Sequence, residues 1–494
     1  MNLYLIGHDY RYAAEQMLLT LFPDERPEYP DGRPTGDRAE LRLMSGTKVT
    51  TVTCVLVYHG QTANGRTSVP NGELTDPAET DRRLQGAVKR AFYRAAMGIG
   101  LPHRPWGMLT GVRPGKLMTP LLAQGLNDAQ AARQFERQYD VSPARADLVV
   151  RTAHATLRAM ESLSEKDVCL YVGIPFCPTR CAYCSFVSQS VEKSMALVPE
   201  FLQALAREIA ATAEAVRRAG LHVVSLYIGG GTPTTLSARQ LDALCTQLAA
   251  AFDLSALREF TVEAGRPDTV TEEKLAVLVS RGVNRVSVNP QTMSDAVLEE
   301  IGRHHTAAQV REAVAMVKKF PQLAFNMDLI AGLPGDTPES FSDTVREVIA
   351  LGAENITVHT LALKKGSRFL TEGTALPDGK AVGEMLGDAR EKLEAAGYAP
   401  YYLYRQKFMS GSFENVGWTK PGYENLYNIC IMEELCGILA VGAGGSTKLT
   451  APGGVVKRLM APKYPREYMD RIAHTCAEKD EIVRFYNSEP KGTN

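Results

Sequence analysis

Three cysteines stand in one short run, Gly173-Ile-Pro-Phe-Cys-Pro-Thr-Arg-Cys-Ala-Tyr-Cys-Ser-Phe186, at Cys177, Cys181 and Cys184. Thiols spaced C-x3-C-x2-C can hold three corners of a cubane iron–sulfur cluster and leave one iron without a protein ligand. Electron-transfer clusters take four cysteines, so this spacing points to a cluster that binds something else at its open iron. Pro175 and Pro178 exclude a regular helix through the run, which places the thiols on a loop able to wrap a cluster. Zinc is the competing reading, but zinc sites favour paired C-x2-C units with two further ligands. No matching second pair lies nearby.

Strand and helix patterns alternate around these residues from about Lys166 onward. Short β-rich runs fall at Val168–Val172, Val223–Ile228, Phe260–Glu263, Arg285–Val288, Phe325–Ile330 and Asn355–Thr360. Helical patterns separate them, for example Val198–Ala219, Ala238–Ala251, Glu272–Ser280, Ala307–Lys319 and Pro338–Leu351. Such alternation with β-branched, buried strands predicts a parallel sheet with helical crossovers. Six units predict a partial (β/α)6 barrel, whose chemistry belongs at the C-terminal ends of the strands. The motifs sit accordingly. The cysteines follow the first strand, Gly229-Gly-Gly-Thr-Pro-Thr234 follows the second, and Glu263 ends the third.

The 494 residues divide into three zones: an N-terminal α/β domain of unassigned role (1–163), the barrel (164–400) and a C-terminal α+β extension (401–494). The first zone has a strand-like segment, Lys48–Tyr58, a basic helix around Asp81–Ala96 and a turn-rich loop, Leu109-Thr-Gly-Val-Arg-Pro-Gly-Lys116. The third has an aromatic run, Tyr398–Tyr404, and a loop-rich stretch, Phe413–Tyr427, whose Trp418 and Tyr423 suit either core packing or covering a flat substrate. A net charge of -1 argues against a general nucleic-acid or membrane-surface role. Met1–Met17 lacks an apolar signal core, and Leu435–Ala443 is too short for a membrane span. The expected compartment is the cytoplasm, with reduced thiols and protection from oxygen.

Taken together, Tyr171-Val-Gly-Ile-Pro-Phe-Cys177, the cysteine run and the glycine turn resemble the radical S-adenosylmethionine enzymes, specifically the oxygen-independent coproporphyrinogen III oxidase group. Leu109–Lys116, Val262-Glu-Ala-Gly-Arg-Pro-Asp268 and Asn326-Met-Asp-Leu-Ile-Ala-Gly-Leu-Pro334 resemble its HemZ-type coproporphyrinogen dehydrogenase branch. The resemblance covers nearly the whole chain. It implies a [4Fe-4S] cluster on Cys177, Cys181 and Cys184, with S-adenosylmethionine chelated to the open iron. It assigns the amine end of that cofactor to Gly230, Gly231 and Thr232, and its methionine moiety to Glu263. Gln291, Arg303 and Asp328 take positions for the carboxylate and ribose, and Ile330 and Ala362 frame the adenine. Tyr171 is either a cluster-proximal tyrosine or a packed strand aromatic.

The resemblance also implies a reaction. A reduced cluster cleaves S-adenosylmethionine, the resulting radical takes a hydrogen from a propionate of coproporphyrinogen III, and loss of carbon dioxide leaves a vinyl group. Two rounds give protoporphyrinogen IX for haem biosynthesis. The implied partners are a porphyrinogen or haem-type tetrapyrrole and an electron donor such as flavodoxin or ferredoxin, with no membrane and no nucleic acid. The C-terminal zone would cover the substrate. Rival readings are a haem-binding chaperone of the same family, a haem-degrading radical methyltransferase and a radical enzyme acting on RNA. Two positions depart from the oxidase pattern: Gly173 stands where some members have histidine, and Phe186 where they carry a fourth cysteine tied to decarboxylation.

The other six cysteines, Cys54, Cys169, Cys245, Cys430, Cys436 and Cys476, read as small buried hydrophobes. A second cluster on Cys430, Cys436 and Cys476 has no recognisable spacing. His304 and His305 read as a solvated pair. Arg113 and Lys116 sit on a tight loop where they could grip a carboxylate or phosphate.

Overall fold

The computed structural model describes residues 1–184, 189–190, 194–362, 368–369, 373–406, 410–451 and 454–488. Phe186 therefore lies outside the described residues. The chain divides into two compact units, one of residues 1–112 with 125–148 and the other of 113–124 with 149–494.

The first unit is built on four strands in the order β1 (Asn2–Ile6), β2 (Arg38–Ser45), β3 (Val49–Tyr58), β4 (Gln61–Pro70). β1 runs parallel to β2, and the remaining pairs are antiparallel. Alternation along β3 turns Val52, Cys54 and Leu56 into the core, where the helices Arg11–Leu21 and Pro77–Gly98 cover the sheet. The second helix starts cleanly because Asp76 accepts from the amides of Ala78 and Glu79 and Pro77 follows it. Its basic residues stay on the outer face or in local contacts. Arg83 pairs with Glu79, and Lys89 donates to Thr110 at 2.7 Å.

The second unit carries the alternating pattern. Its strands are β5 (Asp167–Ile174), the two-residue β6 (Phe176–Cys177) and β7 (Gln189–Ser190), then β8 (His222–Gly230), β9 (Glu259–Glu263), β10 (Arg285–Ser287), β11 (Ala324–Ala331) and β12 (Asn355–Thr360). β13 (Ala399–Tyr404), β14 (Asn415–Thr419), β15 (Gly437–Gly442), β16 (Ser446–Ala451) and β17 (Val455–Met460) follow. One sheet takes eleven of them in the order β13-β14-β12-β11-β10-β9-β8-β5-β15-β16-β17. From β12 through β5 every neighbouring pair is parallel. The six βα units thus put six strand C-termini on one rim, the arrangement of a partial (β/α)6 barrel.

Local chemistry explains the crossovers. Ser237 with Gln240 and Thr306 with Gln309 form capping boxes at the starts of the helices Ala238–Ala251 and Ala307–Val317. Thr271 and Thr337 cap the helices Glu272–Ser280 and Pro338–Leu351. Gly220 ends the helix Val198–Ala219 in the left-handed conformation, at φ 63°.

Two features go beyond the sequence pattern. The apolar run Leu435–Ala443 is a strand: β15 adds to β5 in parallel, opposite β8. The stretch Phe413–Tyr427 is loop-rich but not loop throughout. It contains β14, antiparallel to β12, and ends in the helix Leu426–Glu433. Trp418 is buried within β14, whereas Tyr423 is exposed. Among the described residues no helix is long and apolar enough to cross a membrane.

β15 is tied to the helix Val198–Ala219 by a buried charge. Glu208 is fully buried; it accepts from the Gly442 amide at 2.7 Å and from the Tyr468 hydroxyl at 2.6 Å, and pairs with Lys479 Nζ at 2.6 Å. Removing the cation strands a carboxylate in the interior. Lys479→Met is expected to lower stability by about 3–5 kcal/mol in a denaturant titration, with Glu208→Gln/Lys479→Met losing less than Lys479→Met alone.

Candidate active site

The cysteine loop leaves the sheet at the end of β5. Gly231 N donates to Ile174 O and Thr232 N to Phe176 O, both at 2.7 Å, so the glycine turn after β8 is stitched to the strand that opens the loop. Thr232 Oγ1 stands 3.5 Å from the Cys177 sulfur. Two glycines are required here. Gly230 has φ 110°, a region that side chains avoid. A Cβ on Gly231 would sit 2.5 Å from Phe176 O and 2.9 Å from Ile174 O.

The rest of the loop is clamped by backbone and by two guanidiniums. Ala182 N donates to Ile301 O at 3.0 Å, and Arg368 N donates to Ala182 O at 2.9 Å. Arg266, only 2% exposed, makes two bonds to Asp268 and donates to Thr179 Oγ1 at 2.9 Å, between the first two cysteines. Arg303 is buried and donates to Asn289 O and to Gly265 O. Burial pushes the Cys181 thiol up, but Arg303 and Arg266 reverse this and hold it below its ordinary value. Burial alone would lower the Arg303 guanidinium, yet Tyr183 and Cys181 raise it.

Glu263 ends β9 and accepts from the Tyr227 hydroxyl at 2.5 Å. Burial is the main reason its carboxyl is raised to about 7; the Asp328 charge adds to this, while the Tyr227 and Gly230 hydrogen bonds oppose it. Asp328 on β11 goes the other way. Burial raises it, but His359, Asn326 and Thr357 more than compensate and leave it below the usual carboxylate range. Two carboxyls on one rim are thus held in opposite protonation preferences.

Gln291 has φ 71°, a strained conformation for a residue with a side chain, held by its amide donating to Asp328 O and its carbonyl accepting from Ile330 N. Ile330 packs with Ala182, Tyr183 and Leu361, and Ala362 follows Leu361 at the end of β12. Tyr171 lies on β5 beside Gly230, where a glycine Cβ would meet its hydroxyl at 3.1 Å. Its ring stacks with Tyr227 and Tyr427, at 6.3 and 6.2 Å, and those two stack on each other at 4.4 Å.

All thirteen residues singled out in the sequence are described: Gly230 and Glu263 lie at strand ends, Tyr171, Asp328 and Ile330 within strands, and Arg303 just past the helix Asp295–Glu300. Sequence reasoning gave no role to Arg266 and Tyr183, although both lie in strings that it quoted. Tyr427 gave no local signal, because it arrives from the C-terminal helix. His305 is not solvated: it is 3% exposed, and burial with the nearby Arg303 and Arg266 charges lowers its imidazole to about 3. Arg113 and Lys116 do grip a carboxylate, that of Glu434 in the same unit of the chain. None of the nine cysteines is in a disulfide. The donor set fits an iron–sulfur cluster. Three thiols stand on one half-exposed loop, and two buried cations favour thiolate at Cys181.

Residues 171–348 match the Radical SAM superfamily. The chain is 38% identical over 413 residues to the oxygen-independent coproporphyrinogen-III oxidase-like protein HemZ of Bacillus subtilis, covering 82% of each. It is 31% identical to the heme chaperone HemW of Haemophilus influenzae, over 61% of this chain and 75% of that one. Among solved structures, coproporphyrinogen III oxidase (HemN) of Escherichia coli matches at a TM-score of 0.50 and 22% identity, over 68% of this chain and 79% of that one.

The raised Glu263 carboxyl has a consequence for stability. The unfolded chain releases this proton near 4.5 and the fold near 7, so stability falls as pH rises through that window. Glu263→Gln keeps an acceptor for Tyr227 and removes the charge. It is expected to match the parent near pH 4 and to exceed it by about 3 kcal/mol at pH 8, read from denaturation midpoints of the cofactor-free chain. A parent whose stability is flat between pH 4 and 8 would refute the assignment.

Proposed function

Because the chain belongs to the radical S-adenosylmethionine superfamily, in the branch of the oxygen-independent coproporphyrinogen-III oxidase-like HemZ protein, we propose that it decarboxylates the propionates of coproporphyrinogen III to vinyls without oxygen. The observation that carries this reading is the stitching of the three-thiol loop to the glycine turn at a barrel rim. The cofactors are a [4Fe-4S] cluster and S-adenosylmethionine, which when bound supply the hydrogen-abstracting oxidant.

The chain's own residues bind and orient. Cys177, Cys181 and Cys184 hold the cluster, with Arg266 and Arg303 favouring the thiolate form of Cys181. Backbone at Gly230, Gly231 and Thr232, packed tightly against the Ile174–Phe176 backbone, lines the amine end of S-adenosylmethionine. Glu263 faces the same amine, whose positive charge favours the ionised carboxylate. Arg303 suits the cofactor carboxylate through its planar fork. Gln291 and Asp328 take the ribose side, and Ile330 and Ala362 the adenine. Tyr171 closes the floor beneath them and excludes water. The electron donor in this reading is a flavodoxin or ferredoxin, residues 401–494 cover the tetrapyrrole, and residues 1–112 with 125–148 form a separate compact unit.

Kinship to the heme chaperones supports a second reading, in which the same rim holds a haem-type tetrapyrrole without turnover. Purified, reconstituted protein under strict anaerobiosis distinguishes the two. With coproporphyrinogen III, S-adenosylmethionine and reductant, the oxidase is expected to release two carbon dioxide per protoporphyrinogen formed. Tight haem binding with no carbon dioxide would replace it by the chaperone. Cys177→Ala is expected to lower iron content and abolish turnover; full activity in that variant would remove the radical reading altogether.

A further inference from the structure

We propose that Cys169, Cys430 and Cys436 form a second metal site, separate from the loop cysteines, for a thiophilic ion of the zinc class. Their three sulfurs all lie within 4.8 Å of one another, and Cys169 and Cys436 are 3.6 Å apart. The three residues are 0%, 0% and 5% exposed. They come from separate elements: Cys169 from β5, Cys430 from the helix Leu426–Glu433 and Cys436 from the residue before β15. The sequence offered Cys430, Cys436 and Cys476 as a spacing-free trio. The fold puts Cys169 in place of Cys476, which sits in the helix Ile472–Ala477.

The distances fit one ion. Metal–thiolate bonds of about 2.3 Å place three sulfurs around a single centre roughly 4 Å apart. A [4Fe-4S] cluster is too large for this spacing, and hard cations prefer oxygen. Packing alone gives no reason for three thiols to converge, because alanine or valine would fill the same apolar space without a reactive group. Charge selects within the class. Three thiolates and a divalent ion leave one net negative charge, whereas a monovalent ion leaves two in a buried place. The nearby carboxylate Glu259 is already engaged by Arg285 at 3.6 Å and by the amides of Leu426 and Tyr427.

The site is distinct from the rim. Cys169 precedes Tyr171 by two residues on the same face of β5, and Tyr427 precedes Cys430 by one helical turn. The stacked tyrosines therefore stand between the thiols and the glycine turn. Burial this complete means that the ion enters as the chain folds, so it must be offered in the growth medium.

The test uses the full chain, expressed with added zinc, purified anaerobically under reductant with its iron–sulfur cluster in place. Elemental analysis is expected to give close to one zinc per chain besides iron. Cys169→Ala and Cys430→Ala are expected to lose at least nine-tenths of it while retaining iron, and Cys245→Ala, which removes a lone buried thiol, to keep it. Should the site variants fail to fold, X-ray absorption at the zinc edge of the parent decides: three sulfur neighbours support the site. Zinc bound by nitrogen and oxygen alone, no zinc in the reduced parent, or unchanged zinc in a folded Cys430→Ala would each overturn it.

Discussion

Two backbone hydrogen bonds, from Gly231 N to Ile174 O and from Thr232 N to Phe176 O, join two strand ends that carry the chemistry. A backbone bond fixes position more tightly than a side-chain contact, because no rotamers intervene. It also demands close approach, and at Gly231 a Cβ would meet two carbonyl oxygens. The cysteine loop can be irregular, as its prolines require, because its entry is pinned here and its middle is held at Ala182. The parallel order of β5 and β8 is what brings these two ends together, so the placement of the thiols rests on the sheet register.

Electrostatics then set the character of the rim. Arg266 and Arg303 are buried cations beside a thiol loop, and each spends its donors on backbone oxygens, a hydroxyl or a carboxylate. Such charges act strongly because little water screens them. Their effects are readable on two neighbours: Cys181 is lowered, and His305, already lowered by burial, is lowered further. A neutral His305 matters to this balance, since a third cation among Arg266 and Arg303 would add repulsion rather than hold a ligand.

Much of this was legible in the sequence because the barrel is written in local patterns. β-Branched runs and capped amphipathic helices give the six βα units within a residue or two, and the strand-end positions of Gly230 and Glu263 follow. What local pattern does not encode is pairing across long separations. Leu435–Ala443 is a short apolar run on any reading, and only its register with β5 makes it a seventh parallel strand. The residues 413–427 read as loop-rich because two glycines, a proline and two asparagines punctuate them, yet β14 is held by its neighbours β12 and β13. His305 was misread for the same reason: its burial comes from distant segments, and so does the Glu434 carboxylate that Arg113 grips.

The helix Leu426–Glu433 of the C-terminal extension lays an apolar floor beneath the polar rim. Its first amides donate to Glu259, a buried carboxylate on β9, and Asn425 caps its start. The same turn lays Tyr427 flat against Tyr227. Tyr227 holds Glu263, and Glu263 is raised because water is excluded from below as well as from the sheet. If the floor opened, Glu263 would be hydrated and its carboxyl would return toward 4.5. The helix that closes the floor thus packs on the tyrosine that donates to Glu263, and it contributes to the burial that raises that carboxyl.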